Sequence, residues 1–291
     1  MRWRGEREST NVEDRRGDGP TGGGLPIGRG GLGLGTIAVA LVASWLLGVN
    51  PLTVLSVLTG GGELAGQVET APSGPRPAPA DDGGRFASVV LASTEDAWQG
   101  IFSQAGRRYE APTLVLFSGR TPTACGAGDA AAGPFYCPGD AKLYIDLDFF
   151  RTLHERFGAA GDAAQAYVIA HEVGHHVQNL VGTMDKMQAA RGRAGEAQYN
   201  RLSVRLELQA DCYAGIWAHH SQRSRKWLEP GDLEEALRAA AAVGDDNIQR
   251  QTRGTVVPES FTHGSSEQRM QWFRVGYESG RVGDCDTFAS R

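Results

Sequence analysis

Clustered basic charge, CxxC pairs, internal repeats and a second long apolar run are all missing from this chain of 291 residues. The formal net charge is −5 and the pI is near 5.8. Arg supplies 26 of the 29 basic residues, and nowhere are they dense enough to neutralise a run of phosphates. A nucleic-acid partner is therefore excluded. Four cysteines are too few for a disulfide-dense miniature scaffold, and without a CxxC spacing they do not make a Cys-ligated structural zinc site. The lack of any fixed period excludes collagen, coiled coil and repeat arrays, and a single long apolar run excludes a multi-span membrane protein. What remains, 41% hydrophobic and 22% charged, is an ordinary globular mixture with a glycine-rich first third.

The chain divides into four parts. Residues 1–29 are polar, mixed in charge and end in a Gly/Pro run, a composition that predicts a disordered tail. Residues 30–58 carry no charge. Leu32 to Val49 alone gives 18 mostly apolar positions, about 27 Å of helix against a hydrocarbon core of roughly 30 Å. The stretch is too long and too late for a signal peptide and has nothing at its flanks to pack against, so it predicts a single transmembrane helix. Six Arg precede it and only Arg76 and Arg85 follow nearby. By the positive-inside rule the tail is cytoplasmic and the rest extracytoplasmic. Residues 59–84 form a Gly/Pro-rich linker, and 85–291 a domain of α+β class with helix predominating.

Within that domain Ser93 or Thr94 is placed to cap a helix running to Ala105. Thr113–Phe117 and Leu143–Leu147 read as short strands. Asp162 with Gln165 has a capping-box spacing at the start of the next helix. Further helices are expected over about 195–219, from Asp232, and from Ser265 to about Ser279.

The chemistry lies in His171-Glu172-Val173-Gly174-His175. On a helix, positions four apart share a face, so the two imidazoles can grip one ion while Glu172 stands beside it to work on a bound water. The helix is apolar on both sides of the motif, and burying His and Glu there without a metal would be costly. A catalytic zinc needs a third protein ligand. The metzincin extension is absent, because Gln178 and Val181 stand where its glycine and third histidine belong. Thirty-two residues after His175, Glu207-Leu-Gln-Ala-Asp211 puts two carboxylates on one helical face. Glu207 is then the third ligand, and Asp211 accepts the free N–H of a ligating His, His171 first.

This combination resembles the gluzincin metallopeptidases. Asn11–Gly17 (NVEDRRG), Gly133–Pro138, Tyr144–Leu147, Glu207–Gly215 and Phe261–Arg269 together resemble the bacterial family of putative neutral zinc metallopeptidases of the YpfJ type. The resemblance implies a zincin-like (gluzincin), helix-rich domain with a small sheet, Zn²⁺ as cofactor and a peptide or protein substrate. Glu172 is the expected general base. His263, in a Gly-containing loop before the last helix, is the first candidate for stabilising the oxyanion, with Tyr213 and Tyr144 behind it. His176 points away from the motif and reads as structural, while His154, His219 and His220 read as helix-surface residues. Leu143–Leu147 is the expected edge strand for substrate backbone, as in similar peptidases.

Four cysteines allow three pairings. Cys125 and Cys137 bracket a Gly/Ala-rich loop, and Cys212 with Cys285 would tie the C-terminal tail to the zinc-bearing helix. Two bridges suit an oxidising compartment; four free thiols are the alternative. The expectation is thus a membrane-anchored, extracytoplasmic zinc peptidase. A zinc hydrolase of cell-wall peptides and a zinc-stabilised scaffold without activity are the rivals.

Overall fold

The structure, a computed structural model, describes residues 1–18 and 78–289. In chain order the strands are β1 (Val12–Asp14), β2 (Thr113–Leu116), β3 (Arg120–Thr123), β4 (Gly126–Asp129), β5 (Phe135–Cys137) and β6 (Lys142–Ile145). The helices are α1 (Asp82–Gln104), α2 (Asp148–Phe157), α3 (Asp162–Leu180), α4 (Thr183–Arg191), α5 (Glu196–Arg225), α6 (Asp232–Ala242), α7 (Asp245–Arg253) and α8 (Ser266–Ser279). The helix-rich α+β reading of the domain therefore holds, with boundaries shifted by a few residues. One helix starts much earlier than expected. Asp81, not Ser93 or Thr94, caps α1 by accepting from the Gly84 N–H. Ser93 and Thr94 sit buried in mid-helix, where each hydroxyl donates to the carbonyl three residues back. Asp162 likewise lies inside the first turn of α3 rather than capping it, and Gly161 takes the cap position.

Parallel pairing joins β1 to β2 and β2 to β6, and β5 closes the sheet antiparallel to β6, giving the order β1-β2-β6-β5. Strand β6 is thus internal, with both of its backbone edges paired, and cannot offer the free edge expected of Leu143–Leu147. The edge strands are β1 and β5. A separate β3–β4 hairpin stands beside the sheet, and the Cys125–Cys137 bridge ties its turn to the end of β5.

Two expectations fail at the front of the chain. Residues 1–18 are not a disordered tail: β1 is the outer strand of the sheet, and Trp3 is buried with its ring edge-on to Phe86 and its Nε1 donating to Asp162 Oδ2 at 3.2 Å. The charges that suggested disorder are matched by distant partners. Arg7 meets Glu95 and Asp96, Lys142 meets Glu13 at 2.6 Å, and Arg16 bridges Asp14 and Asp81. Composition registers the charges but not the partners. Because tail and domain share one sheet, they lie on one side of any membrane, which overturns a cytoplasmic tail joined to an extracytoplasmic domain. Among the described residues no helix is long and apolar enough to cross a membrane. The expected anchor at 30–58, residues 19–29 of the tail and the linker up to residue 77 lie outside the described residues.

The core is built around α3. Its apolar residues Ala163, Ala166, Tyr167, Ile169, Ala170, Val173 and Val177 are all buried, and α1, α5 and α6 pack on it. Two close approaches set the helix positions. A Cβ at Gly174 would lie 2.9 Å from the Ala210 carbonyl, and one at Gly276 would lie 1.9 Å from the Cys212 carbonyl. Only glycine lets α3 and α8 come this near α5. The Cys212–Cys285 bridge, closing a 73-residue separation, fastens the C-terminal turn to α5. On the chain-entropy estimate the two bridges contribute about 3 and 4 kcal/mol.

Docking of the tail is testable. Trp3→Ala should lower the stability of the whole chain by about 3 kcal/mol, read as a shifted urea midpoint. An unchanged midpoint would show that the tail does not pack on the domain.

Candidate metal centre

Helix α3 turns His171 and His175 to one face, and α5, held close by the Gly174 contact, brings Glu207 opposite them. The His171 Nε2 lies 3.2 Å from Glu207 Oε2, and the His175 Nε2 lies 3.4 Å from Glu207 Oε1. Two ligands 2.0–2.1 Å from a tetrahedral ion stand about 3.3 Å apart, and each imidazole nitrogen has that spacing to a different oxygen of the one carboxylate. Ligand atoms of all three residues fall within 4.8 Å of one another. The donor set, two imidazoles and a carboxylate, suits zinc. Among the described residues this is the only such group.

Behind the histidines, Asp211 is the hub of a fully buried network. Its Oδ1 accepts from His171 Nδ1 at 2.9 Å and from the Tyr167 hydroxyl at 2.5 Å, and its Oδ2 accepts from Arg269 Nε at 2.9 Å. Arg269 Nη2 adds a second bond to Oδ1 at 3.0 Å. Burial pushes the Asp211 carboxyl up, but Arg269 and His171 outweigh it and hold it below the ordinary carboxylate range. An ionised Asp211 holds one proton of His171 on Nδ1 and turns Nε2 towards Glu207, so that Nε2 is the nitrogen free to bind a cation once its own proton leaves. The Arg269 Nη2 contact to His171 Nδ1 at 3.4 Å joins two donors, so it is packing rather than a hydrogen bond. His175 has its own partner, with Nδ1 2.8 Å from Gln178 Oε1.

Glu172 directly follows His171 and is buried, with no hydrogen-bond partner among the described residues. Burial raises its pKa above the usual carboxylate value, and the positive charge of His175 and His171 opposes but does not cancel the rise. The two histidines, Glu172 and Glu207 line a cleft of about 970 Å³ whose walls include Phe135, Phe149, Val168 and Ile248. His263 lines the same cleft. Asp245, at the start of α7, accepts from the backbone N–H groups of Thr262, His263 and Gly264 and from His263 Nδ1 at 3.3 Å. That bond to Asp245 raises the His263 pKa, against the effect of burial.

Other candidates lie elsewhere. Tyr213 is buried edge-on to Trp98, and Tyr144 stacks on Phe135 and donates to Asp140 Oδ2, so neither hydroxyl reaches the cleft. His176 bonds to the Tyr136 hydroxyl and the Glu110 carbonyl, a structural role. His219 and His220 are half-buried, bonded to the carbonyls of Tyr277 and Gly280, rather than lying free on a helix surface. Both cysteine pairs, Cys125–Cys137 and Cys212–Cys285, are bonded. Reading the sequence missed Arg269, Tyr167, Gln178 and Asp245. Tyr167 and Gln178 had a signal, since they stand one turn from His171 and His175 on the same helix. Arg269 and Asp245 arrive from distant helices; Arg269 closes the Phe261–Arg269 motif, which marked it without showing its partner, and Asp245 had no signal.

The chain matches the family described as "Putative neutral zinc metallopeptidase" over residues 1–288. It is 50% identical to the uncharacterized protein YpfJ of Escherichia coli K12, over 99% of each chain. It is 44% identical to the uncharacterized protein Rv2575 of Mycobacterium tuberculosis H37Rv, over 72% of this chain and 73% of that one. No solved structure matches it.

The centre predicts a pH dependence of metal uptake. In the metal-free chain burial lowers the His171 pKa, but the Asp211 charge and the bonds to Asp211 and Glu207 raise it to about 9. A cation needs Nε2 without its proton, so below about pH 9 each ion bound must displace one. Zinc affinity, measured against a competing chelator, should therefore fall at least about tenfold per unit from pH 8 to pH 6. Calorimetry in buffers of different ionisation enthalpy should show proton release. A flat profile would place the metal elsewhere.

Proposed function

The chain belongs to the putative neutral zinc metallopeptidase family, and from that premise we propose that it hydrolyses peptide bonds with Glu172 as general base. The observation that carries this reading is the meeting of His171, His175 and Glu207 beside a buried, unbonded Glu172 in one cleft. His171, His175 and Glu207 would hold a zinc ion, which would supply Lewis acidity and lower the pKa of the attacking water towards about 7.

Glu172 takes the water's proton. Its burial suits it to that work, because a carboxylate with a raised pKa is a stronger base and holds the proton long enough to pass it to the leaving amine. His263 supplies positive charge to the carbonyl oxygen as it becomes negative. Asp245 favours the charged form of that imidazole and fixes the loop carrying it, since one carboxylate ties down three successive backbone N–H groups. Asp211, Arg269 and Tyr167 act through His171 and touch no substrate. The apolar walls of the cleft (Phe135, Phe149, Val168, Ile248) take side chains of an extended peptide, and exclude water from the charges below.

Glu172→Gln should keep stoichiometric zinc yet lose turnover on a quenched peptide library by a factor on the order of 10²–10⁴. Undiminished hydrolysis would remove Glu172 as the base. Glu207→Ala should emerge from purification with little or no zinc; full occupancy by metal analysis would mean that the third ligand is another residue.

A further inference from the structure

The two imidazoles of the centre are oriented by different means. His171 faces a carboxylate, whereas His175 faces a neutral amide, and the amide of a glutamine can present either end. We propose that Gln178 and Gln209 are positioning residues that hold His175 with its proton on Nδ1 and its Nε2 lone pair turned towards Glu207.

Two backbone carbonyls fix the direction of the relay. The Leu206 carbonyl can only accept, and it lies 2.7 Å from Gln178 Nε2. The nitrogen end of the Gln178 amide therefore points at Leu206, and its oxygen end faces His175 Nδ1 at 2.8 Å. An amide oxygen cannot donate, so Nδ1 must carry the proton, and the neutral ring then presents a bare Nε2. The second proton of Gln178 Nε2 goes to Gln209 Oε1 at 3.2 Å. Gln209 is fixed in turn by the Cys285 carbonyl, 3.0 Å from its Nε2. Reversing either amide would set donor against donor or acceptor against acceptor.

Gln178 is fully buried and Gln209 nearly so, so bulk water is not available to repair a reversed amide. Leu206 immediately precedes Glu207 on α5, so the turn that delivers the carboxylate also orients the histidine facing it. Cys285 is bonded to Cys212, one turn beyond Gln209 on the same helix, which fixes the far end of the relay to α5 as well.

The inference rests on the ligand set proposed above but not on hydrolysis, and its test reads zinc affinity by chelator competition in the full chain. Gln178→Met should lower affinity by about 10–100-fold, with Gln209→Met producing a smaller loss because Leu206 still holds Gln178. Gln178→Glu should lose less than Gln178→Met, since a carboxylate oxygen still accepts from Nδ1, although its second oxygen then meets the Leu206 carbonyl. A role in packing alone predicts the reverse order, because the thioether is nearly isosteric while an added buried charge is costly. Equal affinity in the Met variant, or Met binding better than Glu, overturns the proposal and leaves the peptidase reading standing. Absence of zinc from the wild type would remove both. Should the variants fold poorly, long-range ¹H–¹⁵N spectra of the zinc-loaded wild type decide: His175 must show a protonated Nδ1, and a protonated Nε2 overturns the assignment.

Discussion

Two imidazole nitrogens and a carboxylate aimed at one another in a buried corner form an arrangement that is stable only around positive charge. Lone pairs repel, and the surroundings offer too little water to separate them. In the chain without metal a proton must fill the role, which is why Asp211 and Glu207 lift the His171 pKa despite its burial. A divalent cation satisfies all three atoms at once. Most of what is distinctive in the domain either brings these atoms together or keeps protons from the sides that face inward.

Bringing them together is the work of close helix packing. Gly174 lies inside the motif itself and permits α3 to rest against the backbone of α5 at Ala210, so the carboxylate of Glu207 spans the gap without stretching. Gly276 does the same where α8 crosses α5 at Cys212, and that crossing delivers Arg269 to Asp211. The Arg269–Asp211 pair is wholly buried. Removing either partner would strand a charge, at a cost of about 3–5 kcal/mol. Its value lies in direction: an ionised Asp211, saturated by four hydrogen bonds, accepts from His171 in one way only.

Local pattern made much of this legible. The HExxH spacing and the ExxxD spacing are helical periods, and each places its pair on one face before any tertiary structure is considered. The structure does bring His171, His175 and Glu207 into one corner, and it joins the cysteines as expected. Pattern fails where partners are far apart in sequence. Trp3 finds Asp162, Glu13 finds Lys142, and Arg269 finds Asp211, and no window of neighbouring residues contains those pairs. The tail therefore looked too polar to fold, and an apolar run behind it looked like a divider between two compartments. Ser93 and Thr94 misled for a different reason. Their hydroxyls found carbonyls within the helix, leaving Asp81 to begin it.

The outer strand also sets an order of assembly. Val12–Asp14 has no mate until Leu114–Leu116 has been made, roughly 100 residues later, or about 5–20 s at usual rates of synthesis. Trp3 waits longer for Asp162, 159 residues on, whereas Asp211 waits only 58 residues for Arg269. Contacts so distant along the chain must bear a heavy loop-closure entropy before they repay it, and such topologies fold slowly. Residues 3–14 are thus secured only after partners far behind them have been made, and until then the nascent chain carries an unmatched strand and an exposed indole.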